Sequence, residues 1–559
     1  VYAVLDFDPQ YHPYASKRAA VYANKGMVAT SQPLAAQAGL DMLKRGGNAV
    51  DAAIATAASL TVLEPTSNGI GGDVYALVWM AASKGSQKDK DDQKDKANQG
   101  GELYGLNASG PAPQSLSIDA LKERGYSEMP RYGIIPLTVP GAPAAWIELS
   151  RRFGKLPFAE LLAPAIAYAE QGFPVSPTLG ALFVYEFTKF NNMDKGEEFA
   201  HLYHTFAPNG KLPQIGELVR YPHHAATLRS IAETEAESFY RGELANQIDS
   251  YVKQHGGFLT KEDLSAYKPE WVDPIKVNYR GYDIWEIPPN GQGIVALMAL
   301  NMLKQFDFAA KDSVDTYHKQ IEAMKLAFAD GFEHVAEASS MRVSIEGLLS
   351  DAYGQERAAR IGEEASSPKP GKPPQGGTVY MATADDEGNM VSFIQSNYMG
   401  FGSGVVVPGT GIALQNRGAD FSLDPGHVNA LAPGKKTYHT IIPGFVTKDN
   451  EAVGPFGVMG GFMQPQAHMQ VIMNTIDFHL NPQAALDAPR WQWKEGLTVE
   501  LEPGFPDAIA QALQRKGHHI IRNASSLSFG RGQIIWRNAA TGVLIGGTEP
   551  RTDGHIAAW

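Results

Sequence analysis

A layered α+β fold is predicted by three features of this 559-residue sequence. Helix-period apolar patterns dominate residues 140–340, and short strand patterns bounded by Gly, Asp and Asn dominate the chain after residue 377. The two never alternate as strict strand–helix–strand units. An apolar content of 43%, with 57 Gly and 36 Pro, describes a loop-rich globular chain long enough to bury a sizeable core.

The elements follow in order. PLAAQAGLDMLKR (33–45) reads as a helix that opens on Pro33 and stops at Gly46-Gly47. Asn48 caps a second helix, AVDAAIATAASLTVLE, whose positive end Asp51 complements. TSNGIGGDVYALVWM (66–80) is a glycine-rich turn into an apolar strand, which pairs with 102–106 as a hairpin. The Lys/Asp/Gln-rich insert between them (82–101) has no apolar residues to offset its ordering entropy and reads as a solvated hairpin tip. Residues 140–270 are mostly helical, and 274–289 form a strand pair around Arg280-Gly281. Two long amphipathic helices follow over 291–306 and 315–337. Strands are expected at 378–396, 411–416, 439–447, 453–459 and 533–547, with helices at 463–477 and 506–517.

Composition excludes several classes of function. Lys+Arg 48 against Asp+Glu 60 gives a net charge of −12 without a basic stripe, so nucleic acid is not an expected partner. Without cysteine there are no disulfides, Cys–zinc sites, iron–sulfur clusters or thiol catalysis. No run reaches the ~18 apolar residues of a membrane span. The N-terminal segment shows no leader pattern, which predicts a cytoplasmic location, or a secreted or periplasmic one where a leader has been removed. His223-His224 and His518-His519 are adjacent pairs without metal-ligand spacing, so no metal and no cofactor are assigned. GFGSG (400–404) reads as a flexible turn, and Asp385–Asn389 as a hairpin turn.

The chemistry points to one junction. The Pro/Gly-rich stretch 366–377 ends at Gly377, and a strand begins at Thr378. A cut before Thr378 would place a hydroxyl nucleophile and an α-amine, which titrates near ~8, in one residue. An ordinary loop-to-strand junction is the other reading that these residues leave open.

Sequence blocks settle the choice by resemblance. GMVATSQPLAAQAGLDMLKRGGNAVDAAIATAASLTVLEPTSNGIGGD, TVPGAPAAW, YRGYDIWEIPPNGQGI, the Gly-Gly-Thr junction, GIALQNRGADFS and VMGGFMQPQ resemble the γ-glutamyltranspeptidase family, in family order along nearly the whole chain. The resemblance implies a four-layer αββα sandwich of the N-terminal-nucleophile hydrolase type. It also implies self-cleavage into a large segment, 1–377, and a small segment, 378–559, that stay associated as one intertwined unit.

By the same resemblance Thr378 is the nucleophile, Ser396 the hydroxyl that orients it, and Gly460-Gly461 the oxyanion hole. Asp420 matches the residue that binds a substrate α-amino group. Other positions depart from the family pattern. Asn107 stands where transpeptidases carry an Arg for the glutamyl carboxylate, and Tyr398 stands in place of an Asn. Arg417 replaces an uncharged or acidic residue, and His439-Thr440 replace a Ser-Ser pair. These departures resemble the cephalosporin acylase branch. Arg417 is therefore expected to take an acyl-chain carboxylate through a two-pronged hydrogen bond, a solvated loop position being the alternative. His439 is expected to shape the pocket rather than act as a base. The implied activity is γ-glutamyl amide hydrolysis or transfer on a small-molecule amide, with a glutaryl-type acylase as alternative. An unprocessed, inert binding protein on the same scaffold remains the contrasting class. Oligomeric state is not legible.

Overall fold

The computed structural model describes residues 8–14, 16–82, 100–193, 196–368 and 377–559. Most of the insert 82–101 and of the linker 366–377 falls outside these described residues.

Two seven-stranded antiparallel sheets lie face to face. One runs Val21–Ala23, Leu544–Thr548, Arg531–Arg537, Glu451–Met459, Gly444–Lys448, Tyr282–Glu286 and Ile275–Tyr279. The other runs His555–Ala558, Gly26–Thr30, Gly377–Asp385, Met390–Tyr398, Asp73–Ala81, Gly101–Ala108 and Glu270–Val272. Alternation along each strand sends one row of side chains inward. Tyr75, Leu77, Tyr380, Ile394, Phe445 and Ile535 form the apolar layer between the sheets. The opposite rows, such as Val74, Ala76, Val379 and Met381, pack under helices. Ala49–Leu63 and Ala142–Phe153 cover the second sheet, with Phe158–Gln171 packed on Ala49–Leu63, while Gly293–Leu303 and Met463–Ile476 cover the first, with Val314–His334 packed on Gly293–Leu303. The result is the expected αββα sandwich.

Local signals hold closely at the N-terminal helices. Pro33–Lys44 is capped by the Gln32 side chain. Ala49–Leu63 has a full capping box, Asn48 accepting from Val50 and Asp51 while Asp51 accepts from Asn48 N–H. All fifteen residues of that helix are buried, and its alanines let the neighbouring helices and the sheet approach closely. The Asp385–Asn389 turn is fixed by Asp385, which accepts from the Glu387, Asn389 and Ala49 N–H groups.

Four expectations are corrected. Residues 411–416 form no strand; they make isolated bridges, Gly71 with Leu414 and Val406 with Ala413. The strand expected at 439–447 starts at Gly444, because the residues before it are bonded elsewhere: Tyr438 N–H to the Asn429 carboxamide, and His439 to the backbone of Asn290 and Gln292 as an isolated bridge. A small third sheet, Trp491–Glu495, Thr498–Leu501 and His519–Arg522, was not anticipated. Residues 400–404 are buried, with Phe401 packed among Phe183, Phe187, Phe190 and Phe206, so this turn is anchored rather than flexible.

Candidate active site

The strand Gly377–Asp385 is central in its sheet but paired on both edges only along part of its length. Gly26–Thr30 flanks residues 381–385, so the first residues of the strand have a ladder partner on one side alone. On that side the register slips: Gly377 faces Tyr398, yet Val379 faces Gln395. A bulge therefore sits opposite Thr378, where Ser396 and Asn397 face one residue, and bulges re-aim side chains. Tyr398 takes φ 75, a costly conformation for an aromatic residue that the surrounding contacts must hold in place.

Thr378 is buried, and its hydroxyl lies 2.9 Å from that of Ser396. Ser396 Oγ accepts from Tyr398 N–H at 2.8 Å and donates to the Gly377 carbonyl at 2.8 Å. A serine hydroxyl has a single proton, and the carbonyl can only accept it, so Thr378 is the donor in the remaining contact. The chain Thr378 O–H to Ser396 O–H to Gly377 C=O thus has one direction. A Cβ at 377 would sit 3.3 Å from Thr66 O and 3.4 Å from Ser67 Cα, a close fit that leaves little room beside the scissile carbonyl.

Gly460-Gly461 links the strand Glu451–Met459 to the helix Met463–Ile476. Gly460 has φ 139 and Gly461 φ 59. Among the described residues neither N–H donates a hydrogen bond, and both precede a helix N-terminus, a position that favours developing negative charge. The Gly461 carbonyl is pinned by Gln464 N–H and by Gln292 Nε2 at 2.9 Å. Gln292 also donates to Thr440 O and accepts from Tyr438 O–H, so its carboxamide ties three segments together. A cleft of about 720 Å³ reaches this point and is lined by Gly377, Gly400, Gly460, Trp493 and Arg531, among others.

Of the candidate site residues Gly377 and Gly460 line that cleft, while Thr378, Ser396, Gly461 and the recognition candidates do not. Tyr398 donates its hydroxyl to Asp420 at 2.5 Å, and its ring lies 4.0 Å from the Arg417 guanidinium. Arg417 is 1% exposed, so the solvated-loop alternative fails. Its Nη1 donates to Thr440 Oγ1 and stands 3.6 Å from Asp420, while Nε and Nη2, the edge that grips a carboxylate side-on, have no partner. Burial pushes the Asp420 carboxyl up to about 6, partly offset by Arg417.

His439 bonds Asp73 Oδ2 through Nε2 at 2.9 Å, and Ile441 N–H approaches Nδ1. With Nδ1 accepting, Nε2 carries the proton. Burial and the nearby Arg417 and Lys436 charges hold this imidazole far below its usual range, so it is neutral. It touches Asp73 and Tyr75, is fully buried, and does not line the cleft. Asn107 is not brought to the cleft. Its amide belongs to a buried network with Ser109 and Asn290, which leaves its carbonyl oxygen occupied by two donors.

Sequence reasoning missed Asp73, Gln292 and Arg531. Asp73 pairs with Ser396 across the sheet, and burial pushes its carboxyl up to about 7. It also missed that His518 meets His318 and Glu322, an arrangement with ligand atoms close enough for a metal ion. Here those atoms are engaged by hydrogen bonds: His318 to His518 and Gly362 O, Glu322 to Ser366, and Lys325 to Glu322 and Ser366 O. The Lys325 ammonium lies 2.7 Å from Glu322 and 3.4 Å from His518, so a positive charge already stands beside these groups, and the cluster holds Gly362 and Ser366 at the start of the linker.

The family model for gamma-glutamyltranspeptidase matches residues 35–559. The "Glutathione hydrolase-like YwrD proenzyme" of Bacillus subtilis is 36% identical over 550 residues, covering 96% of this chain and 98% of that protein. The "Oxamate amidohydrolase proenzyme" of Klebsiella pneumoniae is 34% identical over 549 residues, covering 96% and 98%. Among solved structures, the cephalosporin acylase from Bacillus halodurans superposes with a TM-score of 0.93 at 63% identity, covering 99% of each chain. Among the described residues no helix is long and apolar enough to cross a membrane.

Proposed function

The chain belongs to the γ-glutamyltranspeptidase family, and from that premise we propose that it is a self-cleaving amide hydrolase or acyltransferase with Thr378 as nucleophile. The observation that carries this reading is the one-way hydrogen-bonded chain from the Thr378 hydroxyl through Ser396 to the Gly377 carbonyl.

In the intact chain the Thr378 nitrogen is still acylated and cannot serve as a base. As Thr378 Oγ1 bonds to the Gly377 carbon, its proton passes to Ser396, whose own proton goes to the carbonyl oxygen. The ring adduct collapses, the C–N bond breaks, and the nitrogen takes a proton. Water then hydrolyses the ester, leaving segments 1–377 and 378–559 and a free α-amine. That amine becomes the base for each later attack, and Gly460 and Gly461 N–H receive the substrate oxyanion. Purified protein should yield two fragments, the small one beginning at Thr378 by mass spectrometry. A lone full-length species that still turns over amides would refute the proposal.

Two acyl groups compete for the recognition site. Asp420 supports γ-glutamyl amides, since a carboxylate there receives an α-ammonium. The open Nε/Nη2 edge of Arg417 beside Asp420 supports a glutaryl-type acyl group, which carries a carboxylate and no ammonium. The pH dependence separates them, because Asp420 gains a proton as pH falls through about 6. KM for γ-glutamyl-p-nitroanilide should rise below that pH, as the ammonium loses its partner. KM for glutaryl-p-nitroanilide should hold or fall, as a like charge near Arg417 disappears. Parallel profiles for the two substrates would remove Asp420 from acyl recognition.

A further inference from the structure

Arg531 opens the strand Arg531–Arg537 and pairs across the sheet with Met459, the residue before Gly460. It lines the cleft and is 5% exposed, and its Nη1 is buried with no hydrogen-bond partner. Among the described residues it joins no ion pair. Glu64, which feels its charge, stands beyond ion-pair distance and keeps its own Oε2 unpartnered. A guanidinium cannot escape burial by losing its proton, so an unpaired one is costly to hold and is relieved by a bound anion.

The rest of the cleft has the same sign. Arg131, Lys189, Lys494 and Arg531 line it against Glu186 as the sole carboxylate, although the whole chain carries −12. Lys189 is neutralised by Glu186, and Lys494 stands 4.0 Å from Glu500. The Arg131 charge acts on Asp420 and Tyr398, which leaves Arg531 to act on a ligand. Tyr398, Arg417, Asp420 and Thr440 do not line this cleft, although the charge of Arg131, which does, reaches Asp420.

We propose that Arg531 is the receptor for a carboxylate carried on the leaving amine of the substrate. This rests on Thr378 as nucleophile and on the acyl chain lying at Arg417 and Asp420. The substrate class is then an amide whose amine half bears an acid group a few bonds from the nitrogen. The Thr378 Oγ1–C bond forms as the C–N bond breaks, and the departing nitrogen takes the hydroxyl proton by way of the Thr378 amine. The carboxylate stays bound to Arg531 until the free amino acid leaves, and water or a second amine of the same class takes the acyl group.

The test uses processed enzyme and two γ-glutamyl anilides that differ in one group, the p-nitroanilide and the 3-carboxy-4-nitroanilide. Wild type should favour the carboxylated anilide about 10- to 100-fold in kcat/KM, the range of one charge-assisted hydrogen bond. The ratio should collapse towards one in Arg531→Gln and fall between in Arg531→Lys. On wild type alone, 5-amino-2-nitrobenzoate should inhibit at least about tenfold more tightly than p-nitroaniline, by the same contact. An unchanged ratio in Arg531→Gln, or equal inhibition by the two amines, overturns the proposal. So does a loss that follows an acyl carboxylate, glutaryl against butyryl, whatever the amine. Failure of the nucleophile assignment is read separately, from wild type that yields no fragment beginning at Thr378.

Discussion

Replacing Thr378 with alanine is expected to leave a single full-length chain and to lower amide turnover by about six orders of magnitude, the loss seen when a serine hydrolase loses its nucleophile. One residue supplies both reactions. In the proposed mechanism its hydroxyl attacks Gly377 in the intact chain, and its freed nitrogen then deprotonates the same hydroxyl when substrate arrives. Thr378→Ser keeps both atoms and the contact to Ser396, so it should still cleave itself and retain measurable activity. The pair of variants is read by gel electrophoresis, mass spectrometry and release of p-nitroaniline. Cleavage of the alanine variant at the same bond, or activity in that variant above a small residue, would assign the chemistry elsewhere.

Gly460→Ala is expected to lower kcat about 10²- to 10³-fold with a smaller change in KM, the signature of a lost oxyanion donor. At φ 139 an alanine is strained, and its Cβ would meet Gly530 Cα at 3.2 Å, backbone that cannot rotate aside. The N–H would therefore turn away from the reacting oxygen. A raised KM at constant kcat would instead place Gly460 in ground-state binding. Thermal unfolding of the variant separates a local turn of the peptide from general destabilisation.

Much of this site was legible because its signals are local. A break in composition marks Gly377–Thr378, a capping pattern marks Asn48, and glycine pairs mark the tight turns at 46–47 and 460–461. Arg417 stood out as a charge in a family block, although its burial under Tyr398 did not. What stayed hidden arises from long-range register. Arg531 earns its place by facing Met459 across a sheet, and Gln292 by bonding Gly461 from 169 residues away. No window of sequence contains either relation. Residues 411–416 and 439–443 misled for a related reason. Their apolar runs are buried, as strands would be, but irregular. Side chains take backbone groups that a ladder would otherwise pair: Thr410 Oγ1 accepts from Ile412 N–H, and Gln464 Oε1 from Ile442 N–H.

Each large sheet draws strands from both sides of the Gly377–Thr378 bond: Gly26–Thr30 lies beside Gly377–Asp385, and Tyr282–Glu286 beside Gly444–Lys448. Once that bond is cut, the halves are woven through one another and cannot come apart without dismantling both hydrogen-bond ladders. Heating would then release two polypeptides, and their reunion is a second-order event. Recovery after a heating cycle should fall on dilution for the nicked molecule and be indifferent to it for the unbroken one. A nick there would turn refolding from a unimolecular into a bimolecular reaction, with hysteresis between melting and annealing as its mark.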